Sequence, residues 1–164
     1  MEQEQYYLYP DHAPSTHFSW AEAEITSHRG IDNRIPKQYW INVIYTAVGM
    51  ESARLILNKF PILVTSWYRC PELNTAIGSK PTSQHLIGKA VDWICPGFGT
   101  PAQCALALRE QAEFVDYDQL ILEHGWIHTS FEIPSVKPRN QVLTLLKDRK
   151  TYAQGLTDPE GRSL

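Results

Sequence analysis

Apolar positions change period along the chain, and each change marks an element. Ser19-Trp20-Ala21-Glu22 fits a capping box, in which Ser19 accepts from the backbone N–H of Glu22 while the Glu22 side chain reaches back; it predicts a short helix over about 20–28. Pro36 suits a first helical position, where an N–H has no intrahelical acceptor. After it Tyr39, Trp40, Val43, Ile44, Ala47 and Val48 recur at steps of three and four, and Leu55 and Ile56 prolong the stripe. That pattern predicts a packing helix over about 36–58, with Gly49 as an irregularity.

Beyond Pro61 the chain turns β-rich at ILVTSWY, and Cys70-Pro71 opens a helical turn at PELNTAIG. GSKPTSQH is loop, KAVDWI a strand, and Thr100-Pro101 cap and start a helix over about 101–114. DQLILE and WIHTSF are strands with only His124 and Gly125 between them, short enough for a tight hairpin. QVLTLL and KTYAQG form a last pair around Lys147-Asp148-Arg149. Helices first and a small, mainly antiparallel sheet afterwards predict an α+β fold. Residues 1–17, rich in Tyr, Pro and His, read as an irregular arm, and residues 18–164 as a single domain.

Composition narrows the class. A chain of 164 residues buries roughly 70% of its unfolded surface in one core, and 43% apolar content suits a folded domain. A net charge of -3 provides no global basic field for a polyanion, so nucleic acid is not an expected partner. The start, MEQEQYYLYPDHAP, carries acids where a signal peptide needs a basic and then an apolar stretch, and no run is long enough to cross a bilayer. The expectation is synthesis in the cytoplasm without a signal peptide or membrane span, as a monomer. Cys70, Cys95 and Cys104 are an odd set without CxxC spacing and read as small buried hydrophobes.

Three of the six histidines, His12, His17 and His28, fall in the arm or at a helix end and read as solvated. His85, Asp92 and His128 each sit in or beside a predicted strand, where a fixed backbone can aim a side chain. Alternation puts Trp126, His128 and Ser130 on one face, with Ile127 and Thr129 on the other. Two imidazoles and a carboxylate are an established ligand set for catalytic zinc, with the fourth position left for water. Spacing alone leaves hydrogen-bonded core histidines as the alternative.

Ser83-Gln84-His85, Gly88, Ala90 and Asp92 match the S-x-H-x-x-G-x-A-x-D signature of the D-Ala-D-Ala carboxypeptidase-type zinc peptidases (peptidase M15-like), and Trp126-Ile127-His128 resembles their later W-x-H element. TSWYRCPELNTAIG resembles the family's S-G-Y-R-S-x-x-x-N segment, and Asp118-Gln119-Leu120-Ile121-Leu122-Glu123 its D-Q-L-I-x-E strand. These blocks, in family order, span residues 60–131, with IDNRIP a looser match, and the bacteriophage endopeptidases and endolysins are the members most similar in feel. The resemblance implies a fold like that of the hedgehog signalling domain and a single zinc ion held by His85, Asp92 and His128. It also implies zinc-dependent hydrolysis of an amide bond in peptidoglycan stem peptides, with release by a phage holin or carriage on a virion. A D-Ala-D-Ala carboxypeptidase, or a non-catalytic zinc-containing tail or wall-binding module, are the alternatives.

Carried to this chain, the resemblance assigns the general base to Glu123. Many members place the acid three residues before the last histidine; here that position is Gly125, so Glu123 must be brought back by a turn, and His124 competes for the same duty. Arg69 is the candidate for polarising the scissile carbonyl or binding a substrate carboxylate. Gly88 serves a turn that β-carbons resist. Ser83 either supports Asp92 or the loop backbone or is a plain turn residue, and Asp118 and Gln119 either orient a ligand histidine through its second nitrogen or serve a turn. Of the aromatics near these blocks, Tyr68 and Trp126 are the candidates for walling the substrate cleft.

Overall fold

Six strands form one sheet in the computed structural model, which describes residues 11–164. They are β1 (Leu63–Ser66), β2 (Ala90–Ile94), β3 (Gln119–Leu122), β4 (Ile127–Ser130), β5 (Gln141–Leu145) and β6 (Tyr152–Gln154), in spatial order β1-β2-β4-β3-β5-β6. All these pairings are antiparallel except β3 with β5, so the α+β, mainly antiparallel expectation holds.

The sheet has two unlike faces, and period-2 alternation decides which residue goes where. Val91, Trp93, Leu120, Leu122 and Ile127 enter the core, which α2 (Trp40–Ile56) and α4 (Pro101–Glu110) close from the other side. Complete burial of Met50, Leu108, Leu120 and Ile127 ties helices to sheet at about 1.5–3 kcal/mol each. Thr129 is polar but satisfied there, accepting from Trp93 Nε1 at 2.9 Å and lying 3.4 Å from Met50 Sδ. On the opposite face the register lines up Ser66, Asp92, His128, Ile121, Leu143 and Gln154 across all six strands.

The capping boxes form as the sequence predicts, Ser19 with Glu22 and Thr100 with Gln103. Helix lengths differ. The first helix, α1, covers only Trp20–Ala23, because the Glu24 carbonyl is taken by Asn33 Nδ2 and its carboxylate by the Ile35 N–H, while β-branched Ile25 and Thr26 favour leaving the helix. The predicted helix over 36–58 begins as a 3₁₀ turn, Lys37–Tyr39, and runs straight through Gly49. A Cβ at Gly49 would meet the Phe131 ring at 2.2 Å, so glycine there serves close packing rather than an irregularity. The expected helix over 101–114 divides at Gln111 into α4 and α5 (Ala112–Val115), since Gln111 has φ -121° and ψ 34°.

β1 stops at Ser66, two residues short of the predicted strand, after a bulge between Val64 and Ser66. Trp67 and Tyr68 then leave the sheet, the Tyr68 N–H donating to the Ala23 carbonyl and the Arg69 N–H to that of His85. The GSKPTSQH loop runs into a 3₁₀ turn, Gln84–Ile87, between α3 (Pro71–Ala76) and β2. Residues 1–10 of the expected arm lie outside the described residues. Its remainder is irregular but fastened, with Ser15 Oγ and His17 bonding the Glu51 carboxylate, so His17 is a hydrogen-bond partner rather than a purely solvated side chain. Cys95 and Cys104 are buried, and Cys70 caps α3. Among the described residues no helix is long and apolar enough to cross a membrane.

Candidate metal centre and its cleft

His85, Asp92 and His128 come from three different elements and meet at one point. Asp92 and His128 are directly opposite on β2 and β4, while His85 descends from the 3₁₀ turn. Ser83 caps that turn, accepting from the His85 N–H, which is the loop-backbone role among those expected of it. Gly88 ends the turn at φ +75°, and its carbonyl accepts from Trp67 Nε1 at 3.0 Å and Thr46 Oγ1 at 3.1 Å. The loop between the first two candidate ligands is therefore held at both ends.

His85 Nε2 lies 3.2 Å from both Asp92 Oδ1 and His128 Nδ1, and the latter two are 2.9 Å apart. Ligands about 2.0–2.1 Å from a tetrahedral zinc are separated by about 3.3 Å, so this triangle fits that ion with a slight expansion. Two imidazoles and one carboxylate, leaving a fourth position open, also have the donor chemistry of catalytic zinc sites. The neighbours prepare these atoms. His85 Nδ1 is 2.6 Å from the Trp67 carbonyl, which can only accept, so the ring proton sits on Nδ1 and Nε2 keeps its lone pair for the centre. Asp92 is divided: Oδ1 faces the imidazoles, and Oδ2 accepts from the Arg69 guanidinium.

Burial, at 2% exposure for His85, pushes its imidazole below the ordinary range and outweighs the attraction of Asp92. Burial alone would raise the Asp92 carboxyl, but electrostatic attraction to His85 and the close contacts with the His128 and His85 rings hold it well below the usual carboxylate range. Neutral imidazole beside ionised carboxylate is the protonation state that binds a metal.

The three side chains open into a cleft of ≈ 890 Å³ that runs along the polar face of the sheet. Glu123 and Trp126 line it at the β3–β4 turn, where the Glu123 N–H donates to the Trp126 carbonyl at 3.0 Å. The turn thus returns Glu123 to the cavity of the three convergent side chains, despite the five-residue spacing from His128. Burial raises the Glu123 carboxyl above its ordinary value and repulsion from Asp92 adds to this, against the opposing charges of His128, Arg69 and His124. Arg69 also lines the cleft, anchored by Nε on Ser66 Oγ at 2.8 Å, so its first partner is the Asp92 carboxylate.

Other expected site residues are placed elsewhere. His124 turns its Nε2 to the carbonyls of Leu145 and Leu146, each at 3.0 Å, and pins the β3–β4 turn to the end of β5 instead of facing the three convergent side chains. Tyr68, 2% exposed, packs against Tyr39 in the core and does not wall the cleft, because β1 ends before it and its backbone is bound to Ala23. Asp118 bonds Arg139 and Gln84 Nε2, and Gln119 bonds Gln141; the second nitrogen of His85 goes to the Trp67 carbonyl instead. Asp118 therefore supports the centre at one remove, by tethering the residue beside His85. The far wall of the cleft, formed by β5 and β6 with Tyr152 and Gln154, carried only a strand-pairing signal in the sequence.

The Peptidase M15 family model matches residues 16–130. No curated protein matches the chain. The matched span covers well over half the sequence and contains every side chain that converges on the centre, so the chain belongs to the peptidase M15 family of metallopeptidases.

Proposed function

We propose that the protein is a zinc-dependent endopeptidase that hydrolyses an amide bond in peptidoglycan stem peptides, in the manner of a phage lysin acting on the cell wall. The observation that carries this reading is the convergence of His85, Asp92 and His128 with Glu123 in one cleft. His85, Asp92 and His128 would hold the zinc ion, which would supply Lewis acidity and lower the pKa of water. Glu123, with a proton affinity above that of an ordinary carboxylate, takes the proton of the attacking water and delivers it to the leaving amine. Arg69 presents a fixed positive charge at the cleft wall, where negative charge develops on the carbonyl oxygen. Its bond to Asp92 Oδ2 keeps that carboxylate oriented throughout.

The cleft continues past the centre towards β6, which leaves room for substrate on that side of the reacting bond and favours endo cleavage over removal of a terminal residue. Purified peptidoglycan digested by the zinc-loaded protein should yield fragments with new amines by mass spectrometry, and chelator should suppress them. Absence of any zinc-dependent fragment would refute the reading, whereas free D-alanine from a pentapeptide would assign the exo mode.

A further inference from the structure

The family match ends at Ser130, but the cleft does not. Its outer part is built from the β5–β6 hairpin and from the loop at 77–83 that faces it. Two cleft cations are already engaged, Arg69 with Asp92 and Arg139 with Asp118. Lys80, Arg149 and Lys150 also line the cleft, are exposed, and make no ion pair among the described residues. Asp148, the acid of the hairpin turn, is occupied by the N–H groups of Lys150 and Thr151 and the Thr151 hydroxyl. Lys80 Nζ lies 5.7 Å from the centre of the Tyr152 ring, which brings the two walls to the same end of the cleft. Lys150, in the bend that precedes β6, lines the cavity together with Tyr152 and Gln154.

We propose that Lys80, Arg149 and Lys150 form an anion-recognition subsite that binds a carboxylate of the peptide substrate at the end of the cleft away from the metal centre. The chain as a whole carries a net charge of -3, so three cations lining one cavity, against the single Asp148 carboxylate beside Lys150, set a local field opposite to that of the molecule. A guanidinium fork beside two ammonium groups matches a carboxylate in charge and donor geometry. β6 lies three strand spacings from β4, about 14 Å, or about four residues of extended peptide. An acidic side chain spans part of that distance, so the recognised residue lies about two to four positions from the bond cleaved. The proposal rests on the peptidase reading for its choice of a peptide as ligand.

The test uses blocked alanine hexapeptides carrying one Glu at each position in turn, with matched Gln peptides. Binding is measured by calorimetry on the zinc-loaded Glu123→Gln full chain, and cleavage on the unaltered protein. At one or more positions Glu should bind about tenfold more tightly than Gln at low salt, and the ratio should fall towards one in an added Arg149→Gln/Lys150→Gln background and with Lys80→Glu. No Glu preference at any position overturns the subsite. So does a preference that survives these substitutions, since the carboxylate would then be held at the metal centre or by Arg69. Cleavage without preference leaves the peptidase reading standing and refutes the subsite; preference in binding without any cleavage does the reverse.

Discussion

Gly88→Ala perturbs the loop that carries His85 to the centre, and the structure sets the size of the effect. At φ +75° a β-carbon costs about 1–2 kcal/mol. The added methyl would also lie 2.8 Å from Val43 Cγ2, and Val43 is fully buried in α2, where a β-branched side chain has one strongly preferred rotamer and cannot swing aside. Overpacking of this kind adds about 1–3 kcal/mol. The sum is about 3 kcal/mol, or a fall in Tm of about 6–12 °C for a domain of this size. Urea unfolding of the metal-free protein, followed by tryptophan fluorescence, measures it. In a Val43→Ala background the clash is gone and only the backbone part should remain, a coupling of about 1–2 kcal/mol. A loss below about 1 kcal/mol in the parent would show that neither the backbone conformation nor the contact constrains this position, and an unchanged loss in the Val43→Ala background would refute the contact.

Three further outcomes are expected. Glu123→Gln should lower turnover about 10²–10⁴-fold while zinc stoichiometry and Tm stay close to the parent values, and undiminished turnover would remove Glu123 from the chemistry. His85→Ala should weaken zinc binding at least about tenfold in competition with a chelating dye, and full occupancy at parental affinity would refute its place in the centre. Burial alone would raise the Asp118 carboxyl, but bonds from Arg139 and from Gln84 hold it at about 2, so its contribution is complete above the unfolded value near 3.8 and is lost as pH falls through about 2. That amounts to about 2 kcal/mol; urea midpoints at pH 6 and pH 2.5 should draw closer together in Asp118→Asn, and an unchanged difference counts against the ion pair.

What the sequence discloses and what it withholds divide along one physical line. Capping at Ser19 and Thr100, the apolar stripe of α2 and the hairpin around His124-Gly125 depend on neighbours a few residues apart, so composition and period reveal them. Alternation likewise sets His128 beside Trp126 on one face, and four family-like blocks bring His85 and Asp92 under suspicion although they lie seven residues apart in unlike elements. Side chains whose partners lie further along the chain escape this logic. Arg69 finds Asp92 across 23 positions, Asp118 finds Arg139 across 21, and His124 finds the end of β5 across 21, each through the sheet order. The decisive step is the parallel placement of β5 beside β3, for which the alternating pattern of QVLTLL contains no instruction. That placement draws His124 away from the centre by offering its ring two carbonyls, and leaves Glu123 as the carboxylate facing the cleft from the same turn. Which of the two adjacent residues lines the cleft is thus set by a strand some twenty positions later, which is why no inspection of EHGWIH by itself could decide it.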